Sequence, residues 1–252
     1  MISSKFPRTI PWPLTIVRGE VRLAAALVVA FDEEDGPLIE LAADFLGPTE
    51  AAYFSTLRFE RRQRSYLLGR YAAKLALRGL LNEPDLRAIE IGRGVFDQPI
   101  VLPPQTDALD VTISHADSLA VALAFPRGHP MGIDIERVDP ARLGTILTQL
   151  SEQEKKWVIA STENGLRLAT ALWTAKEALS KVLRTGLMSS MEIYDLAEFK
   201  VAPTGTWQGL FQHFGQYKAT VCVGQSFALG IVLPKLSITE SGGDIHRLIP
   251  SL

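Results

Sequence analysis

Two carboxylates stand two residues apart in the segment Gly132-Ile133-Asp134-Ile135-Glu136. Alternate side chains of a β-strand share a face, so Asp134 and Glu136 would lie together while Ile133 and Ile135 enter the core. Paired carboxylate oxygens bind hard divalent cations such as Mg²⁺. A half-exposed strand with a polar outer face has the same pattern, so this spacing leaves both interpretations open.

A third carboxylate occurs in the segment Trp173-Thr174-Ala175-Lys176-Glu177-Ala178-Leu179-Ser180-Lys181. Glu177 and Lys181 are four residues apart and would share one face of a helix. Glu177 could complete a metal site, and Lys181 could neutralise phosphate charge beside it. The alternative is an ordinary exposed ion pair, which contributes only about 0.3 kcal/mol.

The dipeptide Ser114-His115 invites comparison with a hydrolase dyad, but adjacent residues of a strand point to opposite faces. These two side chains could not easily share a proton, and the sequence has no G-x-S-x-G nucleophile elbow. Two interpretations of His115 remain open. It is either a structural histidine or a contact for a phosphate group.

Basic residues crowd the segment from Arg61 to Lys74. Arg70 and Lys74 are four residues apart and face together on a helix, where cations could hold the phosphates of a nucleotide-like ligand. A solvated helix face would explain them equally well. The nearby Gly92-Arg93-Gly94 lacks the third glycine of a dinucleotide-binding fingerprint.

The elements that must position these residues alternate between helix and strand. We predict a buried strand over residues 21–31, a helix from about Glu60 to Leu77 that stops at Gly79, a helix capped by Ser151 and Glu154, an amphipathic helix over 166–183 and a hairpin around Gly224. Thr49 is predicted to cap a short helix, the prolines at 7, 11 and 13 predict an extended arm, and the polar tail from Ser237 is expected to be loosely held. Each half of the chain contains helix and several strands, which predicts an α+β fold. The turn at 126–130 is the expected boundary between two lobes, residues 1–127 and 128–252.

Composition limits the class of protein. The chain has 252 residues, 26 basic and 28 acidic side chains and a formal charge of -2, which gives no reason to expect nucleic-acid binding. Cys222 is the one cysteine, so no intramolecular disulfide forms. The longest apolar run, Leu23 to Phe31, falls far short of the ~20 residues that span a bilayer, and no signal-peptide core is visible. We therefore expect a cytoplasmic protein that does not bind membranes.

Taken together, these segments resemble the Sfp-type 4′-phosphopantetheinyl transferases. That superfamily has a G-[IV]-D-x-E stretch followed some forty residues later by W-[ST]-x-K-E-[AS]-x-x-K, and residues 132–136 and 173–181 match both in order. The ISH at 113–115, the GRYAAK at 69–74 and Gly186-Leu187 support the likeness, which runs from about Arg61 to Leu187.

The resemblance implies two similar-sized α+β lobes related by a pseudo-twofold axis, with coenzyme A and magnesium between them. It implies that Asp134, Glu136 and Glu177 hold the metal and that Lys181 contacts phosphate and assists departure of the leaving group. Ser114 and His115 would contact coenzyme A phosphates, with Arg61, Arg70 and Lys74 near the 3′-phosphate. Gln98 stands where the family often has a lysine, which removes one expected phosphate contact.

The implied activity is transfer of the phosphopantetheine arm of coenzyme A to a serine of an apo acyl or peptidyl carrier protein, with release of 3′,5′-adenosine diphosphate. Such carriers serve fatty acid, polyketide or nonribosomal peptide synthesis. The base would be Glu177 or a metal-bound water, and the carrier, an acidic protein, would dock on the segment from Arg137 to Leu150, around Arg142, Ile146 and Leu147. We expect a monomer. Two alternatives are a non-catalytic module that binds coenzyme A or a carrier, and a magnesium-dependent nucleotide pyrophosphohydrolase.

Overall fold

A computed structural model describes residues 6–33, 36–104, 108–241 and 248 of the chain. It has the predicted α+β class and divides into two compact units. The first unit ends at His129 and takes in a segment that starts at Thr239, and the second begins at Pro130 and continues to Ile238. Their relation by a pseudo-twofold axis stays a prediction. None of the helices described is long and apolar enough to cross a membrane.

The first unit combines an antiparallel sheet with one long helix. Its elements are β1 (Arg8–Arg18), β2 (Val21–Phe31), α1 (Ala42–Phe45), α2 (Pro48–Phe54), α3 (Glu60–Leu81), β3 (Ile91–Arg93), β4 (Pro99–Val101), β5 (Leu109–Ala116) and β6 (Leu119–Pro126). β3 and β4 form a separate hairpin. α3 packs on β2, β5 and β6. The face of β6 that packs against α3 carries alternate alanines, Ala120, Ala122 and Ala124, so the helix can lie close to the sheet.

The second unit repeats this plan of a strand, short helices, a long helix and an antiparallel hairpin. Its elements are β7 (Gly132–Arg137), α4 (Leu143–Thr148), α5 (Glu152–Ala160), α6 (Gly165–Leu183), β8 (Leu196–Val201), β9 (Trp207–Phe211), β10 (Tyr217–Val223) and β11 (Phe227–Pro234). The sheet order is β7-β11-β10-β9-β8, and α6 packs on β7, β10 and β11. A Cβ at Gly132 would lie 2.1 Å from the carbonyl oxygen of Ala178, so this glycine lets α6 approach the start of β7.

Several predicted elements are confirmed. The strand over 21–31 is β2, Ser151 and Glu154 form the capping box of α5, and β10 and β11 form the hairpin around Gly224. Other boundaries were wrong. α3 continues through Gly79 and ends where Asn82 adopts a left-handed conformation, φ 53°, because an asparagine accepts that geometry. Gly47, not Thr49, precedes the first turn of α2.

The predictions for the two chain ends were confirmed only in part: the N-terminal segment is extended as predicted but is paired in a sheet, and of the tail only residues 237–241 and 248 lie within the described part of the chain. Pro11 and Pro13 lie within β1, which pairs along its whole length with β2. The polar tail supplies β12 (Ile238–Ser241), which pairs with β1 at the edge of the first sheet in the order β12-β1-β2-β6-β5. β12 has four residues against the eleven of β1, so part of the β1 backbone is not paired with β12 and can accommodate proline. The polar residues of β12 suit an edge strand.

Candidate functional site

Three carboxylates meet in the second unit. Asp134 and Glu136 come from β7 and Glu177 from α6, and one oxygen of each lies within 4.8 Å of the others. β7 is buried on both faces: Asp134 is 1 % exposed, Glu136 9 %, and Ile133 and Ile135 are fully buried. The interpretation of this segment as a half-exposed strand with a polar outer face is therefore wrong. The carboxylates point towards the helix.

Basic and neutral donors hold two of these carboxylates in place. The ammonium of Lys181 lies 2.6 Å from Asp134 Oδ1. The indole Nε1–H of Trp173 donates to Glu136 Oε1 at 2.8 Å, and the guanidinium of Arg142 donates to Glu136 Oε2. The roles of Trp173 and Arg142 at Glu136 were not predicted. Trp173 lies one helical turn before Glu177, so spacing could have found it, whereas a turn outside the helix supplies Arg142.

The pKa of Glu177 is raised to about 8, first by burial and then by the negative charge of Asp134, while Lys181 acts in the opposite direction. Burial and mutual repulsion therefore oppose ionisation of all three carboxylates at once. A divalent cation would relieve that repulsion, and buried carboxylate oxygens are the ligands that Mg²⁺ prefers. The donor set thus fits the metal that the sequence predicts.

A separate cavity of about 690 Å³ lies in the first unit. Arg61 and His115 both line it, together with Arg64, Ser65 and Ser118. His115 reaches this space beside Gly69, where a Cβ would lie 2.3 Å from the imidazole Nε2. Two of the predicted phosphate contacts are therefore brought to one cavity, and the glycine of the GRYAAK segment makes room for the histidine.

Ser114 lies elsewhere. It is buried, 7 % exposed, on the strand face opposite His115, and it does not line this cavity. The alternation of β5 therefore separates the two side chains as predicted, which argues against a Ser–His dyad. Its contact with coenzyme A stays a prediction.

Arg70 and Lys74 correct the sequence interpretation. Lys74 is fully buried, and its ammonium contacts Glu50 Oε2 at 2.5 Å and donates to the carbonyl oxygens of Ile89 at 2.6 Å and Leu86 at 2.9 Å. Arg70 is 7 % exposed and packs over the Tyr66 ring, 3.7 Å from Glu50. Burial raises the pKa of Glu50 and lowers that of Lys74. Neither side chain is solvated or available to a phosphate, because both are buried beside the carboxylate of Glu50.

Two further positions have structural explanations. Gln98 accepts the backbone N–H of Phe96 at 2.9 Å and so closes the β3–β4 turn, where Asp97 pairs with Arg93. Ile146, predicted to receive a carrier protein, is 3 % exposed and belongs to the core. Leu147 of that segment is half-buried, and Arg137 and Arg142 are exposed.

Comparison with known proteins finds a family similarity over part of the chain. The family model of the 4′-phosphopantetheinyl transferase superfamily matches residues 130–232. Similar solved structures include holo-[acyl-carrier-protein] synthase from Thermotoga maritima (21 % identity, 50 % of this chain and 69 % of that chain, TM-score 0.29). Holo-ACP-synthase from Plasmodium yoelii is 16 % identical over 47 % of this chain and 94 % of that chain, with a TM-score of 0.30. No curated protein sequence matches.

Proposed function

Because residues 130–232 match the family model of the 4′-phosphopantetheinyl transferase superfamily, we propose that the chain belongs to this superfamily and modifies carrier proteins. It transfers the 4′-phosphopantetheine arm of coenzyme A to a serine hydroxyl of an apo acyl or peptidyl carrier protein and releases 3′,5′-adenosine diphosphate. The observation that carries this proposal is the buried convergence of Asp134, Glu136 and Glu177 beside Lys181. We further propose that the protein acts as a cytoplasmic monomer.

Asp134, Glu136 and Glu177 would hold Mg²⁺ in this proposal. A bound Mg²⁺ supplies positive charge that polarises a diphosphate and offsets charge on the leaving group. The chain's own contribution is to bury the three ligands and to fix Glu136 through the indole of Trp173. Buried, oriented ligands need little rearrangement when a cation arrives.

Glu177 and Lys181 would act on the reacting groups. The carrier serine oxygen bonds to the phosphorus that carries the pantetheine arm, and the P–O bond to the adenosine phosphate breaks. Glu177 takes the serine proton directly or through a water, a role that needs its ionised form, which a bound divalent cation would favour. Lys181 stabilises the departing phosphate, because its ammonium already lies at the cluster, 2.6 Å from Asp134.

Arg61 and His115 are the proposed contacts for the phosphates of coenzyme A in the first unit. Both line one cavity, and Arg61 is exposed there. Arg64 is already engaged in a two-pronged ion pair, at 2.6 and 2.8 Å, with Asp32, which lines the same cavity. Arg61 is therefore the better candidate for a 3′-phosphate.

Intact-mass measurement of an apo-carrier protein tests the proposal. The full chain is incubated with the carrier, coenzyme A and Mg²⁺, and the carrier is expected to gain one phosphopantetheine group. Release of 3′,5′-adenosine diphosphate without a carrier would instead indicate a pyrophosphohydrolase, and coenzyme A binding without turnover would indicate a binding module. Glu177→Gln should abolish transfer, while Lys155→Ala, which removes an exposed ion pair with Glu152, should leave it unchanged.

A further inference from the structure

Arg142 lies at the edge of the carboxylate cluster, half in the site and half in solvent. It ends the 3-10 turn Pro140–Arg142 and immediately precedes α4. Its guanidinium donates to Glu136 Oε2, yet its side chain is 43 % exposed. Lys181, a second cation at the cluster, is less exposed, at 24 %, and contacts Asp134.

Both oxygens of Glu136 are occupied, by donors of different kinds. Oε1 accepts the neutral indole N–H of Trp173, which is fixed on α6, and Oε2 accepts the charged guanidinium of Arg142. A cation that binds Glu136 must share or take one of these oxygens. The indole carries no net charge and can stay, whereas the guanidinium is repelled by a second cation at short range. Arg142 is also free to turn towards solvent, because it extends from a surface turn.

We propose that Arg142 is a positioning residue that occupies Glu136 until a divalent cation binds, then leaves the cluster and contributes its charge to the surface that receives an acidic carrier protein. The docking half of this inference rests on the proposed transferase function. The metal half does not, because it depends only on the contacts within the cluster.

The surface around Arg142 supports the second half. Arg137 and Arg142 are both exposed, whereas Ile146 of the following helix is buried and Leu143 and Leu147 are half-buried against the core. A partner at this segment would therefore meet positive charge. While Arg142 is paired with Glu136 that charge is partly neutralised, and its release strengthens attraction of an acidic protein.

Titration calorimetry of the full chain with Mg²⁺, and with Mn²⁺ as a second probe, tests the metal half. Arg142→Ala removes a competitor for Glu136, so the affinity for the metal should rise by about three- to tenfold. Arg142→Lys keeps the charge and should lie nearer to the parent. Lys155→Ala, a matched removal of an exposed paired cation in the same unit, should leave the affinity unchanged. Unchanged or weaker metal binding in Arg142→Ala, with parental thermal stability, overturns the inference.

Steady-state kinetics test the docking half. With saturating Mg²⁺, Arg142→Ala should raise KM for the carrier protein about threefold or more and leave KM for coenzyme A unchanged. A parental KM for the carrier overturns the docking role even if metal affinity rises. If the parent protein transfers nothing to any carrier, the proposed function fails, and the calorimetric result still decides whether Arg142 competes with the metal.

Discussion

Lys181 stabilises a carboxylate that is almost fully buried, and its removal should reveal this in the folded state as well as in turnover. Asp134 is 1 % exposed on its side chain, so Lys181→Ala leaves a buried charge without its closest cation. We expect the free energy of unfolding to fall by about 1–3 kcal/mol in chelator, and turnover to fall by about a hundredfold or more. Denaturant unfolding with and without Mg²⁺ measures the first effect.

Magnesium supplies the control for Lys181→Ala. A bound divalent cation would compensate Asp134, so Mg²⁺ should restore much of the lost stability without restoring turnover. If stability falls equally in chelator and in Mg²⁺, Asp134 does not contribute to a metal site and Lys181 is only a structural partner.

The protonation of Glu177 predicts how stability depends on pH in the absence of metal. The folded protein keeps the Glu177 proton up to about pH 8, whereas the ordinary pKa of this carboxyl is 4.5, so between these values the folded state binds more protons. Raising the pH through this window therefore lowers the free energy of unfolding. Glu177→Gln should remove that decline, and urea unfolding in chelator at pH 5, 6, 7 and 8 compares the two proteins. Equal slopes would show that Glu177 ionises normally.

The cluster residues could be predicted from sequence because each depends on one local regularity. Asp134 and Glu136 follow the two-residue period of a strand, and Glu177 and Lys181 the four-residue spacing of a helix. The contacts of Arg142 depend on how a turn places a side chain beside a distant strand, and no period records that. Lys74 was misassigned because periodicity gives the face of a helix but not what covers it.

At the scale of elements, each unit contains the same buried ion pair. In the first unit Glu50 accepts the backbone N–H groups of Gly47 and Ile91 and binds Lys74 of α3 through Oε2. In the second, Glu154 accepts those of Ser151 and Leu196 and binds Lys176 of α6 through Oε2. Each pair ties the start of a short helix, the middle of the long helix and the chain that follows it.

These pairs should be essential to folding. Lys176 is fully buried, so Lys176→Met leaves Glu154 charged without its main partner and should lower the free energy of unfolding by about 3–5 kcal/mol. Adding Glu154→Gln should recover part of the loss. The matched control is Lys155→Met, whose ion pair with Glu152 is exposed and should be worth under about 1 kcal/mol. If both lysine variants lose similar amounts in chemical denaturation, the buried pair does not hold the three segments together.

At the scale of the whole chain, the buried Glu–Lys pair occurs in both units, whereas the carboxylate cluster lies in the second unit. This difference distinguishes residues that stabilise the fold from residues of the candidate site. Lys74 and Lys176 are the same number of residues apart as Asn82 and Arg184. Asn82 and Arg184 are the residues in left-handed conformation at which α3 and α6 end. By the same spacing, the residue of the first unit that corresponds to Glu177 is Leu75. The first unit therefore repeats the structural lysine but not the proposed metal ligand. Sequence alone did not show this repeat, because so few side chains are shared between the two units.

This division predicts that two ligands protect different parts of the molecule. Mg²⁺ alone should slow amide hydrogen exchange in β7 and α6, because a bound ion cross-links three carboxylates of those elements. The proposed product, 3′,5′-adenosine diphosphate, should instead slow exchange near Arg61 and His115, which line the cavity of the first unit. In Glu177→Gln the magnesium effect should disappear while the effect of the nucleotide near Arg61 persists. Mass spectrometry of peptides from the full chain resolves the two regions, and protection of α6 by Mg²⁺ in the Glu177→Gln protein would show that the ion binds elsewhere.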